Sequence, residues 1–210
     1  MERDEAAIAQ WVQHDWPRIK RRARRRRAHL VFIDETGFLL SPLVRRTWAP
    51  RGQTPVLRQR TRHHRRVSAI GALSISPNRR RLGWYLHFHR DRAIRQEQVV
   101  DFLGDLLGHL RGAVIVVWDR LAAHRSRRLR QWRRRCRRLH LESLPGYAPE
   151  LNPNEYGWAY LKSNPLANYC PQDVAQLHRR VTKASRTVAS QQSLLRAFVH
   201  ATDLPIRLPL

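Results

Sequence analysis

LVFIDETG, residues 30–37, is the stretch that decides the fold predicted for this chain. Its apolar start indicates a buried strand, and Asp34 brings a carboxylate to the end of that strand. A second apolar run, AVIVVWD, ends in the same way at Asp119. A third segment, LPGYAPELNPNEYGWAYLK (144–162), is a turn-rich loop leading into a helix that carries Glu155. Open sheets place ligand sites at strand ends, and Mg²⁺ prefers oxygen ligands, so these three acids predict a divalent-metal site.

Other acids are weaker candidates for that site. Glu35 directly follows Asp34, but strand alternation points it to the opposite face of the sheet. Glu150 stands beside a proline before the helix that carries Glu155, where a capping or surface role is the alternative. Three more acids lie in or near a predicted amphipathic helix and are expected to be solvated: Asp91, Asp101 and Asp105.

The periodicity along the chain predicts an α/β fold with a mixed β-sheet flanked by helices on both faces. The first three strands should form an antiparallel meander, and helical crossovers should join the later, parallel strands. Trp48, in a turn and hairpin arm over 38–50, is expected to pack inward. The predicted strands are 29–34, 67–76, 82–89, 113–119 and 139–144, and the predicted helices are 4–28, 95–110, 126–138, 152–162, 173–189 and 192–201.

The chain is strongly basic, with a formal net charge of +25 over 210 residues. Only three of its 41 basic residues are lysines, and arginine binds phosphate through two hydrogen bonds at once. Nucleic acid is therefore the expected partner, with a solvated, arginine-rich surface as the alternative. The candidate contacts to a DNA backbone are Arg24, Arg25, Arg26, Arg60, Arg62, Arg65, Arg125, Arg127 and Arg128.

Cysteine and hydropathy limit the setting of the protein. Cys136 and Cys170 show no pairing or metal-ligand spacing, which is typical of reduced thiols in the cytoplasm. No apolar run approaches the ~18 residues of a membrane span, so no membrane partner is expected. His87 and His89 share a face of one strand, but no third ligand is near in sequence, which favours a structural role over a metal site.

Three segments together resemble the signature blocks of the DDE transposases: FIDETGF (32–38), VVWDRLAAHRS (116–126) and LPGYAPELNPNEYGWAYLK (144–162). The branch they resemble is the bacterial insertion-sequence group related to mariner elements. The likeness runs from about residue 4 to the C-terminus, and the third segment is its most specific part. Arg120 and Gly146 differ from the residues that are common at those places in the family.

The resemblance implies an RNase H-like fold in which Asp34, Asp119 and Glu155 bind Mg²⁺ or Mn²⁺. It implies cleavage of phosphodiester bonds at transposon ends and transfer of the 3′-OH into target double-stranded DNA by a two-metal mechanism. His124 and Asn152 are expected to order the site or to contact DNA. A homodimer is expected as well, because family members act on paired ends.

The resemblance also divides the chain into an N-terminal linker helix and basic arm (1–28), an RNase H-like DDE catalytic domain (29–190) and a C-terminal helix and tail (191–210). The helix-turn-helix region that the family uses for reading transposon ends is expected to be missing here, so a separate helix-turn-helix chain is a further expected partner. The expected location is the bacterial cytoplasm, at the nucleoid. Two alternatives remain open: a catalytically idle, nucleic-acid-binding remnant of a transposase, and an RNase H-like ribonuclease.

Overall fold

A five-stranded mixed sheet forms the centre of the computed structural model, which describes residues 3–58, 65–119, 129, 131, 132, 134 and 136–209. The strands of this sheet are β1 (His29–Leu39), β2 (Arg66–Ile75), β3 (Leu82–Arg90), β4 (Val114–Trp118) and β5 (Leu139–Ser143). Their spatial order is β3-β2-β1-β4-β5. The antiparallel pairs are β1 with β2 and β2 with β3, whereas β4 runs parallel to both β1 and β5. The predicted meander is confirmed, and the later strands are parallel as predicted.

Helices precede, interrupt and follow the strands. A π-helical turn over Trp11–Asp15 joins the first two helices, and a 3-10 turn over Pro149–Leu151 precedes the fourth. Pro17 lies in the first turn of the second helix, where its missing N–H needs no partner, so the helical path is not broken there. The helices are α1 (Glu5–Gln10), α2 (Trp16–Arg25), α3 (Gln96–His109), α4 (Pro153–Ser163), α5 (Val174–Ala189) and α6 (Gln192–His200).

The sheet buries both of its faces, because its strand residues alternate between two apolar clusters. Phe32 of β1 packs in the cluster that holds Trp16 of α2 and Trp158 of α4. Val31 and Ile33 instead pack in the cluster formed with α3. Helix α3 contributes the apolar stripe expected from its sequence, and every member is buried: Val99, Phe102, Leu103, Leu106, Leu107 and Leu110.

Both terminal segments take part in the first of these clusters. Ile19 of α2 and Leu195 of α6 are fully buried within it. All three predicted parts of the chain therefore share one core. The division at residues 28 and 190 remains a prediction. Within the described ranges, no helix is both long enough and apolar enough to cross a membrane.

Two expectations about local structure differ from the observed fold. Strand β1 continues past residue 34 to Leu39, because β2 pairs with it as far as Arg66 opposite Leu39. Trp48 is 100% exposed, so the prediction that it packs inward is wrong. The segment around Trp48 forms neither a helix nor a strand, so no periodicity indicates which way its side chains face. The helix predicted over 126–138 falls mostly outside the described residues.

Candidate active site

Two neighbouring parallel strands place Asp34 and Asp119 side by side. Phe32 of β1 is the partner of Val117 on β4, so the acids two residues further along occupy matching positions. Phe32 and Val117 belong to the same apolar cluster, which puts both acids on the face of the sheet covered by α4. Neighbouring strands lie about 4.8 Å apart, so this register alone makes the two carboxylates close neighbours.

Two asparagines attach helix α4 to strand β1 directly before Asp34. The Nδ2 atom of Asn152 donates to the Ile33 carbonyl over 3.0 Å, and that of Asn154 donates to the Phe32 carbonyl over 2.8 Å. Asn152 is also the N-cap of α4, because its Oδ1 accepts from the Asn154 backbone N–H. The first turn of α4, which carries Glu155, is therefore held against the strand that carries Asp34.

Two tryptophans complete this attachment. The Trp84 indole on β3 donates to Asn154 Oδ1 over 2.9 Å, within a buried environment. The Trp158 indole on α4 donates to Asp34 Oδ2, also over 2.9 Å. Gly71 on β2 leaves room for that ring, because a Cβ added there would lie 2.6 Å from Trp158 Cη2. Sheet and helix thus fit closely around the Asp34 carboxylate.

The electrostatics of the site disfavour negative charge on Asp34. Burial raises the pKa of Asp34 to about 8, and the negative charges of Glu155 and Asp119 act in the same direction. The Trp158 hydrogen bond opposes this rise but does not cancel it. Burial also raises the pKa of Glu155, and Asp119 again contributes. The three acids therefore lie within one electrostatic neighbourhood.

One lysine accompanies the acids. Lys162 of α4 donates from Nζ to Thr36 Oγ1 over 2.8 Å and lies 5.7 Å from the centre of the Phe38 ring. Burial lowers the pKa of Lys162, while Glu155 and Asp34 oppose that change. Lys162 thus places an ammonium group beside the carboxylates without forming an ion pair with either of these two acids among the contacts described.

The donor set suits a hard divalent cation. Mg²⁺ takes carboxylate oxygens, keeps several waters and needs few protein ligands for each ion. Within the described parts of the chain, no three His, Cys, Asp or Glu side chains are placed as ligands of a single ion. The arrangement is therefore compatible with ions that are shared between pairs of acids, and does not form a closed cage.

The other predicted contacts lie in varied surroundings. Asn152 is buried, at 3% exposure, which fits ordering of the site. Arg65 forms an ion pair with Asp91 over 2.7 Å, and Arg26 contacts His140 over 2.8 Å. Arg24 and Arg25 lie on the exposed side of α2. His124 and five of the arginines fall outside the described residues: Arg60, Arg62, Arg125, Arg127 and Arg128.

Sequence reasoning did not single out Asn154, Trp158 or Lys162. Trp158 and Lys162 follow Glu155 by three and seven residues, so these two side chains share one face of α4 with Glu155. That spacing was a usable signal. No local pattern, however, reveals that Asn154 hydrogen-bonds to a tryptophan 70 residues away.

Several solved structures share this fold. The strand transfer complex of Mos1 matches with a TM-score of 0.65 and 17% identity, over 95% of this chain and 59% of the Mos1 chain. The Mos1 mariner paired end complex with Mn matches with a TM-score of 0.64 and 16% identity, over 95% of this chain and 60% of that one. This chain thus spans about 60% of the length of those transposase chains.

The catalytic domain alone gives a fuller match. The structure of the Mos1 transposase catalytic domain with raltegravir and Mg has a TM-score of 0.58 and 15% identity, over 96% of this chain and 90% of that domain. At identities this low, the structural matches establish the fold alone. It is the RNase H-like fold that the resemblance implied. No protein with a curated function matches the chain significantly in sequence.

The family is established by a match that covers most of the chain. Residues 29–178 fit the model of the DDE superfamily endonucleases. This range begins at the first residue of β1 and includes Asp34, Asp119 and Glu155. The chain belongs to the DDE superfamily endonucleases.

Proposed function

We propose that this chain is the catalytic domain of a DNA transposase from the bacterial insertion-sequence branch related to mariner elements. It cleaves phosphodiester bonds at transposon ends and joins the freed 3′-OH to target DNA. The observation that carries the proposal is that Asp34 and Asp119 follow paired positions of neighbouring strands, beside the first turn of α4 that carries Glu155. Membership of the DDE superfamily endonucleases supports it.

Asp34, Asp119 and Glu155 would together hold two Mg²⁺ or Mn²⁺ ions. When bound, such ions activate the attacking hydroxyl and stabilise the leaving oxygen. The solved Mos1 structures include complexes with Mg and with Mn. Because burial raises the pKa of Asp34, ion binding at neutral pH must displace a proton from this carboxyl group.

The chain's own residues orient this chemistry. The amides of Asn152 and Asn154 hold the first turn of α4 on β1, so that Glu155 faces the strand acids. The Trp158 N–H donates to one carboxylate oxygen of Asp34, Oδ2, and so orients that side chain. Lys162 holds a positive charge next to the acids, where it would attract the phosphate of an entering strand.

DNA is the proposed partner, with a second copy of this chain and a helix-turn-helix chain. The charge of +25 supports a polyanionic partner, and affinity for DNA should therefore fall steeply as salt rises. The Mos1 structures of paired ends support two copies of the chain, since two ends are held together in that complex. The bacterial cytoplasm, at the nucleoid, remains the predicted location.

The decisive experiment measures Mg²⁺-dependent nicking of supercoiled DNA by the wild type and by Asp119→Asn. The variant keeps the shape of the side chain but removes its charge, so nicking should fall by more than about 100-fold. Asp101→Asn is the matched control, because Asp101 is an exposed acid on α3, and it should nick like the wild type. Equal activity in wild type and Asp119→Asn would remove Asp119 from the mechanism.

A non-catalytic nucleic-acid-binding remnant is the second candidate. The observation favouring it is that no three described acidic, histidine or cysteine side chains are placed to hold one ion. Calorimetric titration with Mn²⁺ separates the two, because the enzyme should bind Mn²⁺ and Asp119→Asn should bind it more weakly. RNA–DNA hybrid and DNA duplex substrates, compared side by side, test the ribonuclease alternative.

A further inference from the structure

A second charged site lies at the other end of the sheet from the carboxylates. A cavity of about 280 Å³ opens between α2, the start of β1 and the turn that joins β2 to β3. Four cations line it, and no acidic residue does: Lys20, Arg24, Arg27 and Arg79. Leu30 lines this cavity four residues before Asp34, which places the cavity about 13 Å or more from that acid along the strand.

The cations of this cavity are not neutralised by the protein. Among the described residues, no ion pair involves Lys20, Arg24, Arg27 or Arg79. Arginines on the opposite side of α2 behave differently. Arg18 and Arg22 both pair with Glu142, over 2.8 and 3.1 Å. One helix therefore carries a satisfied basic side and an unsatisfied one.

The backbone holds two of these arginines in a rarely used conformation. Arg27 and Arg79 have φ angles of 47° and 59°, which side chains other than glycine seldom adopt. Hydrogen bonds maintain both turns: Ala28 N–H to the Ala23 carbonyl over 2.9 Å, and Arg79 N–H to the Ser76 carbonyl over 2.8 Å. Such conformations gather at functional sites, because the surrounding structure must hold them there.

A tryptophan with an unmet hydrogen-bond donor and a lysine repelled by neighbouring cations also line the cavity. Trp16 lines it, is fully buried, and its Nε1 has no acceptor among the described residues. Lys20 donates to the Pro205 carbonyl over 3.2 Å, and its Nζ lies 5.8 Å from the Trp16 ring. Burial lowers the pKa of Lys20, and the charges of Arg79 and Arg207 add to that effect. An anion here would relieve the repulsion among these cations.

We propose that this cavity, named here the basic pocket, binds a phosphate group of the DNA backbone, away from the site of cleavage. Guanidinium groups on α2 and on the β2–β3 turn converge on it from two sides, an arrangement that matches a phosphate. The fully buried Trp16 ring offers no face for base stacking, which favours backbone over base contact. The choice of DNA rests on the proposed function, whereas the choice of phosphate rests on the pocket itself.

The test compares two double variants that remove the same charge. Arg24→Ala with Arg79→Asn removes two of the four cations of the basic pocket, and asparagine tolerates the positive φ of residue 79. Arg179→Ala with Lys183→Ala removes two exposed cations of α5 as the matched control. Fluorescence anisotropy with a short DNA duplex in EDTA, over a range of salt, gives the slope of log affinity against log salt.

Loss of one phosphate contact should reduce that slope by about 0.9 in the pocket variant and weaken binding roughly tenfold, with little change in the control. Equal losses in both variants would overturn the proposal in favour of a diffuse positive field. Because no metal is present, absence of cleavage cannot produce either result. Failure of the proposed function therefore remains distinguishable from failure of this one.

Free phosphate is the other source of the same chemistry. Melting temperatures in phosphate and in chloride, at equal ionic strength, report whether inorganic phosphate occupies the basic pocket. The proposal is supported if phosphate raises the melting temperature of the wild type but not that of the pocket variant, and if the pocket variant also shows the reduced salt slope for DNA binding. If phosphate raises the melting temperature in the same way but the salt slope for DNA binding is unchanged in the pocket variant, the pocket binds free phosphate and not a phosphate of DNA.

Discussion

The first half of β1, from His29 to Asp34, has a cluster of charges at each of its two ends, and these clusters show how differently this protein treats its charges. At one end, Asp34 lies near two further acids and its pKa is raised to about 8 by burial and by their charge. At the other end, four cations surround the basic pocket without an acid lining it. Each end holds charges of one sign, and the signs are opposite. The first end suits cations, and the second suits anions.

The pairing of Arg18 and Arg22 with Glu142 shows what a structural use of charge looks like in the same molecule. Those arginines are neutralised by their own chain. In the two charge clusters of this half-strand, like charges lie close together without such pairing, which should cost stability while no ligand is bound. Repulsion that the fold does not relieve therefore marks a binding site better than the number of charges does. Four predictions test this comparison, beginning with the largest effect.

Asp34→Asn should abolish Mg²⁺-dependent nicking, by more than about 100-fold, and yet increase stability when metal is absent. The folded pKa of Asp34, about 8, lies above the ordinary aspartate pKa of 3.8. The folded state therefore retains a proton that the unfolded state loses. This stabilising contribution is complete below pH 4 and is lost as pH rises to about 8, at up to ~1.4 kcal/mol per pH unit. Denaturant unfolding of both proteins in EDTA, from pH 5 to 9, measures it.

The wild type should lose stability relative to Asp34→Asn over that range, with a plateau above it. Parallel stability curves for the two proteins would show that Asp34 carries its charge without penalty. The contrast between the two charge clusters would then not hold for the acidic cluster around Asp34.

Asn154→Ala should lower the free energy of unfolding by about 3 kcal/mol, because it leaves the Trp84 N–H and the Phe32 carbonyl buried without partners. Asn164→Ala is the control. Asn164 donates only to the Tyr160 carbonyl at an exposed helix end, so its loss should cost less than about 1 kcal/mol. Denaturant titrations of both variants give the comparison. Similar costs would show that α4 does not depend on this attachment.

Gly71→Ala should destabilise the protein by about 1–3 kcal/mol, because the new methyl group would lie 2.6 Å from Trp158. Displacing that indole weakens its hydrogen bond to Asp34, which should shift the pH dependence described above to higher pH. Gly104→Ala, in the middle of α3 with open space around it, should stabilise by about 0.5–1 kcal/mol. Thermal melts at several pH values measure both effects.

Arg79→Asn should stabilise the protein slightly, by a few tenths of a kcal/mol at low salt, because it relieves repulsion on Lys20. The gain should disappear as salt rises, since salt screens exposed charges. Arg179→Ala, outside the basic pocket, should be neutral. A destabilised Arg79→Asn variant would mean that Arg79 has a structural role. The charges of the basic pocket would then not cost stability as those around Asp34 do.

Local pattern was enough for most of the fold. The apolar run around Phe32 and the helical stripe around Leu103 depend on residues close in sequence, so strands, helices and their order could be predicted. Trp48 was misplaced because its segment forms neither a helix nor a strand, and there the periodicity carries no information. The end of β1 was misplaced because pairing with β2, a distant segment, extends it to Leu39.

The sequence by itself determined the family, the sheet with its flanking helices, and the three acids at the ends of two strands and the start of a helix. Only the tertiary structure decided which side chains surround those acids and which arginines remain unneutralised. Asn154 finds Trp84 and Arg22 finds Glu142 across long stretches of chain. Such partners are chosen when the whole chain packs, because burial and mutual distance set their charges and hydrogen bonds, and no short segment contains that information.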